Sequence, residues 1–230
     1  MHDSKIIVAL DFASSGEALS FARRMNPQQC RLKVGKELFT LAGPDVVRQL
    51  QSLGFDIFLD LKFHDIPATV ARACAVAADI GVWMLNVHAL GGEKMMREAA
   101  NAVAGSKTQL IAVTVLTSMD AQDLAQVGIA QSVDEQVSRL ATLAKQSGMH
   151  GVVCSAREAS LLRETCGDDF LKVTPGIRPA WAGSDDQKRI VTPAQALKDG
   201  ASHLVIGRPI TRADNPQQAL EKVLLEINEC

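Results

Sequence analysis

Neither a CxxC pair nor an HExxH motif occurs among the five cysteines and five histidines of this chain. Cys30, Cys74, Cys154, Cys166 and Cys230 are odd in number and scattered, which excludes a visible zinc site or disulfide framework. They read as reduced thiols of a cytoplasmic protein. A basic surplus is also missing, since 24 Lys and Arg stand against 26 Asp and Glu, for a net charge of −2. Nucleic acids and anionic membranes both call for a basic face, so neither is an expected partner. No apolar run approaches the roughly 18 residues of a membrane span. Met1-His2-Asp3-Ser4-Lys5 leads straight into an apolar strand without signal-peptide anatomy, which again points to the cytoplasm. There is no low-complexity tract, linker or charge block, so a single domain over residues 1–230 is expected. At 47 % hydrophobic and 22 % charged residues, the composition suits a globular chain with a substantial core.

What is present is a regular alternation. Short β-rich runs occur at Ile6–Leu10, Arg31–Val34, Asp56–Leu61, Trp83–Val87, Leu110–Val115, Gly151–Cys154, Leu171–Thr174 and His203–Ile206. Between them lie stretches with helical spacing at Gly16–Met25, Asp45–Leu53, Ala68–Ala78, Glu93–Val103, Val133–Gln146, Ala156–Thr165 and Pro216–Ile227. Gly54, Gly81, Gly148 and Gly200 each close a helical stretch ahead of a strand. Repeated strand–helix alternation implies a parallel sheet, either a closed (β/α)8 barrel or an open doubly wound sheet. The count of strands favours the (β/α)8 TIM barrel. So does the run Ala9-Leu10-Asp11-Phe12-Ala13 after the first strand, where a dinucleotide fold would carry GxGxxG.

The polar residues gather where a barrel would use them, at the carboxyl ends of strands. Asp11 ends the first strand and Lys33 lies on the second. The third runs into Asp60-Leu61-Lys62-Phe63-His64-Asp65-Ile66-Pro67, four ionisable groups at the exit of an apolar strand. Alternation puts Asp60 and Lys62 on one face, where burial is costly without pairing or purpose. A structural ion pair beside a helix cap is the plainer reading of that segment alone. Asn86 and His88 close the fourth strand and Thr117 follows the fifth. Thr174-Pro175-Gly176-Ile177-Arg178-Pro179 follows the seventh, and Gly207-Arg208-Pro209 ends the eighth. Loops after strands seven and eight often hold phosphate, and the Arg208 fork beside Gly207 suits that use. Taken alone, Gly207-Arg208-Pro209 also fits a plain strand-to-helix turn. The long polar stretch 176–192 reads as a lid, with Gln187 a candidate to reach the phosphate on closing. No nucleophile constellation appears: Ser155 lacks a GxSxG elbow, and Cys154 has no His near it in sequence.

These segments, with Val8-Ala9-Leu10-Asp11, Leu32-Lys33-Val34-Gly35 and Val205-Ile206-Gly207-Arg208-Pro209-Ile210, resemble the bacterial-type orotidine 5′-phosphate decarboxylase family along essentially the whole chain. The resemblance implies a (β/α)8 homodimer that converts orotidine 5′-phosphate to UMP and CO2 without metal or organic cofactor, the last step of de novo pyrimidine nucleotide synthesis. It implies that Lys62 protonates C6 within a charged network of Lys33, Asp60, Lys62 and Asp65. Asp65 and Thr69 would serve the neighbouring subunit's site. Asp11 would bind ribose hydroxyls and Thr117 the pyrimidine edge, while Gln187, Gly207 and Arg208 hold phosphate with Arg178 close by. Two alternatives stand beside it. One is a Mg2+-dependent enzyme like 3-keto-L-gulonate 6-phosphate decarboxylase, which shares the Asp-x-Lys-x-x-Asp motif but carries an acidic residue where Lys33 stands. The other is a non-catalytic phosphate-ligand binding protein on a barrel scaffold.

Overall fold

The computed structural model describes residues 4–182 and 191–228. Eight parallel strands close into a barrel: β1 Ile6–Ala9, β2 Arg31–Gly35, β3 Ile57–Phe63, β4 Met84–His88, β5 Gln109–Val113, β6 Gly151–Val153, β7 Leu171–Thr174 and β8 His203–Ile206. Each strand pairs with its sequence neighbours, and β8 returns to β1 through Ile7 opposite Val205. The fold is the expected TIM barrel, not the open sheet.

The strands are apolar on both faces because both are covered. Ile7, Ala9, Phe58, Met84, Ile111, Val173 and Val205 fill the barrel interior. Their alternates, such as Ile6, Val8, Leu32, Val34, Leu85, Ala112 and Leu204, join the layer beneath the helices. At β6 the fit depends on a missing side chain. A Cβ on Gly151 would lie 2.3 Å from the Leu171 carbonyl oxygen of β7.

Around the barrel run α1 Ser15–Ala22, α2 Lys36–Ser52, α3 Pro67–Asp79, α4 Gly92–Val103, α5 Ala121–Gln126, α6 Val133–Gln146, α7 Ala156–Cys166, α8 Pro193–Lys198, α9 Arg208–Thr211 and α10 Pro216–Asn228. The α6 boundaries match expectation because its start is written in the sequence. Ser132 Oγ accepts the Glu135 N–H, and the Glu135 carboxylate accepts the Ser132 N–H. For α2 only the second half was foreseen. Gly43 breaks it at φ 61°, ahead of Pro44, and the first half starts at Gly35 with no side-chain cap. A proline disfavours helical backbone in the residue before it, so the periodicity is interrupted where the helix bends. The short helices α5, α8 and α9 are too brief to show a period.

Buried thiols behave as the sequence suggested. Burial first, then the nearby Glu158, pushes the Cys154 thiol up to about 12, which disfavours the thiolate form.

Candidate active site

The carboxyl ends of the strands form one rim of the barrel, and β3 reaches it irregularly. Leu59 pairs with Leu85 and Phe63 with Val87, so β3 carries a bulge between those points. Within it Lys62 sits at φ 53°, the one non-glycine residue of positive φ among the described residues. Such backbone costs on the order of 1–3 kcal/mol and persists only where surroundings impose it. Strict alternation, the sequence argument for placing Asp60 and Lys62 on one face, therefore does not hold through the bulge. The two side chains meet nonetheless, Lys62 Nζ donating to Asp60 Oδ1 at 2.5 Å.

Asn86 ties down the bulge. This fully buried residue of β4 accepts the Lys62 backbone N–H on Oδ1 at 2.8 Å and donates from Nδ2 to Asp60 Oδ1 at 2.7 Å. One amide thus fixes both the backbone that carries the lysine and the carboxylate that receives it. From β2, the Lys33 amine lies 3.3 Å from Asp60 Oδ2 and 3.6 Å from Asp11 Oδ1. A Cβ on Gly35 would stand 3.2 Å from the Lys33 amine, so that glycine keeps room for the ammonium.

Burial alone would raise the Asp60 pKa. The charges of Lys33 and Lys62, with hydrogen bonds from Lys62 and Asn86, outweigh it and hold the carboxyl below its ordinary value. Asp60 is an anion clamped between two ammonium groups. The trio opens into the barrel mouth, with the Asp60 side chain 12 % exposed and the Lys62 side chain 27 %. Among the described residues no cluster of three or more His, Cys, Asp or Glu could hold a metal ion.

The other expected residues fall around this centre at varying depth. Asp11 is exposed beside Lys33. Asp65 stands outside the trio, exposed on the loop to α3, its carboxylate accepting the Ile66 N–H at 2.6 Å. Thr69 lies half-buried in the first turn of α3. Arg178 is buried beyond β7, while Gly207 and Arg208 are half-buried where β8 passes into α9. Thr117 is exposed and lines a cavity of about 410 Å3 with Ser155, Gly176 and Ile177. The expected lid segment has its two ends together: Ile177 bridges Val191, and the Arg178 N–H donates to the Val191 carbonyl at 3.1 Å. Gln187 lies outside the described residues. The sequence places Asn86 at the rim, but the expected site residues do not include it. Its signal was a buried amide in an apolar strand.

The closed eight-stranded barrel is a TIM barrel, and its carboxyl-end rim carries the Lys33, Asp60 and Lys62 charges. The profile of the Orotidine 5′-phosphate decarboxylase / HUMPS family matches residues 4–223, and the chain belongs to that family. It is 59 % identical to orotidine 5′-phosphate decarboxylase of Nitrosomonas eutropha over 227 residues, 99 % of this chain and 98 % of that protein. Identity to the enzyme of the same name from Nitrosococcus oceani is 58 % over 230 residues, 99 % of each chain. The crystal structure of orotidine 5′-phosphate decarboxylase from Lactobacillus acidophilus superimposes with a TM-score of 0.88 at 41 % identity, covering 98 % of this chain and 100 % of that one.

Proposed function

We propose that this chain decarboxylates orotidine 5′-phosphate to UMP and CO2, with Lys62 supplying the proton to C6. The observation that carries the reading is the Lys33–Asp60–Lys62 trio held on strained backbone at the barrel mouth. Departure of CO2 leaves an electron pair in the plane of the ring, where no adjacent carbonyl can delocalise it. Preorganised charge and immediate protonation must do that work. The Lys62 ammonium stabilises the charge as it develops and then quenches it, while Asp60 pairs with the amine and holds it in place. Phosphate binding by Gly207 and Arg208, near Arg178, with closure of the 176–192 lid and Gln187, contributes remote binding energy that holds the reacting group against the trio.

Asp65 and Thr69 act in the neighbouring subunit of a homodimer. Asp65 is exposed and its carboxylate accepts the Ile66 N–H, which supports a role outside its own subunit's trio. Asp11 meets the ribose and Thr117 the edge of the base. The enzyme works in the cytoplasm, and no helix of the described residues is long and apolar enough to cross a membrane.

Lys33 weighs against a Mg2+-dependent relative. Its ammonium lies between Asp11 and Asp60, the two carboxylates a divalent ion would need there. A plain phosphate-binding protein would have no use for a strained lysine in a charged trio. The test is an absorbance assay with orotidine 5′-phosphate in excess EDTA. Undiminished turnover is expected, and activity that collapses in EDTA and returns with Mg2+ would contradict the reading.

A further inference from the structure

His64 and His88 belong to none of the roles above, yet the structure brings them together. Their rings stack with centroids 5.5 Å apart and planes 20° from parallel. His88 ends β4, two residues beyond Asn86, and its Nδ1 accepts the Leu90 N–H at 3.3 Å, capping the turn Ala89–Gly91. That turn also reaches His64: a Cβ on Gly91 would lie 3.3 Å from His64 Cδ2. Exposed His64 is thus seated against half-buried His88 and immediately precedes Asp65. The loop from His64 to Ile66 has few other ties. Asp65 and Ile66 are exposed, and α3 begins at Pro67 with no side-chain cap.

We infer that His88, acting through His64, is a positioning residue that sets the direction in which Asp65 leaves the subunit. The inference rests on the reading that Asp65 serves the partner's site. A neutral His88 ring suits the task, because two charged imidazoles would repel across the stack. Burial, with the cationic surroundings of His64, Lys36 and Lys62, holds its pKa down at about 4, so it stays uncharged at neutral pH. With Nδ1 accepting, the neutral ring carries its proton on Nε2.

The consequence is an effect in trans. His64→Ala, at an exposed position where folding is little at risk, should lower kcat roughly 10²-fold, as expected for a misplaced reacting group. His88→Ala should do the same. His88→Phe keeps a ring to stack on and should recover most of the loss, whereas His88→Asn keeps an acceptor without the ring and should not.

Differently tagged Lys62→Ala and His64→Ala subunits can be co-purified as heterodimers. Their one competent site pairs an intact Lys62 with Asp65 from a subunit whose stack is whole. It should turn over at the wild-type rate per site, giving half the activity of the wild-type dimer. The control heterodimer, Lys62→Ala with Asp65→Ala, should recover in the same way. If the control recovers while the His64→Ala heterodimer keeps the impaired rate, the stack acts within its own subunit and the inference is overturned. If neither recovers, Asp65 does not cross the interface, and the cross-subunit reading falls along with the inference built on it.

Discussion

The same region of sheet carries an ion pair at each end of the barrel, and the two pairs are built to opposite purposes. At the floor, Arg31 of β2 meets Asp56, just ahead of β3, at 3.4 Å. The Arg31 guanidinium lies over the Trp83 ring at 4.1 Å and donates to the Ser4 carbonyl, and Trp83 meets His203 edge-on at 5.2 Å. The backbone there keeps its register, with Leu32 opposite Ile57. At the rim, two residues on from Arg31, Lys33 meets Asp60, but Lys62 joins from a bulge at positive φ. A guanidinium stays protonated in proteins and stacks well on an aromatic ring, so it suits a plug. An ammonium is a compact charge that can surrender a proton, so it suits chemistry. The floor keeps a regular backbone, whereas the rim is strained. The side chain chosen for the cation, more than the presence of an ion pair, separates structure from function here.

Exchanging the two chemistries should break the rim first. Lys62→Arg keeps the charge but not the transferable proton, and kcat should fall by about 10²–10⁴-fold or more while UMP still binds, as read by steady-state kinetics and calorimetry. Asn86→Ala should come next. It frees the bulge and leaves Asp60 short of a donor, lowering kcat roughly 10–100-fold and stability by about 1–3 kcal/mol in denaturant titration. Arg31→Met at the floor should show the converse pattern. Stability drops by about 1–3 kcal/mol through the lost ion pair and ring contact, with kcat unchanged.

The smallest effect concerns acid. The unfolded chain protonates His88 near the ordinary 6.5 and the folded chain only near 4. Between those values the unfolded state binds more protons, so stability falls as pH drops from 6.5 toward 4. Asp60 acts in the same sense at lower pH, where its stabilisation is lost as pH falls through its depressed value. His88→Phe should flatten the 6.5-to-4 limb of a melting-temperature profile and leave the Asp60 limb in place.

The barrel was legible because its strands are short apolar runs divided by stretches of helical period, several of them closed by glycines. The helical spacing over Val133–Gln146 matches α6, whose start the structure shows capped by Ser132 and Glu135. The break at Gly43 hid half of α2, since a bent helix loses its single period. At the site, Lys33, Asp60 and Lys62 were readable as charges at strand ends. The bulge was not, because the hydrogen bond that holds it joins β3 to β4 and no local pattern encodes it. Asn86 shows the same limit, since its importance lies in its two partners and neither is near it in sequence. The stacked histidines were visible as rim residues, but only tertiary contact gives them a shared position.

The central claim is that a lysine amine clamped by Asp60 supplies both charge and proton as CO2 leaves. Its most direct test is Lys62→Cys, assayed in EDTA before and after alkylation with bromoethylamine, which rebuilds a side chain ending in an ammonium. The cysteine enzyme should be inactive and the alkylated one should regain turnover by orders of magnitude, with the wild type unaffected by the same treatment. Full activity in the unalkylated Lys62→Cys enzyme, or none after complete alkylation of a folded one, would contradict the account.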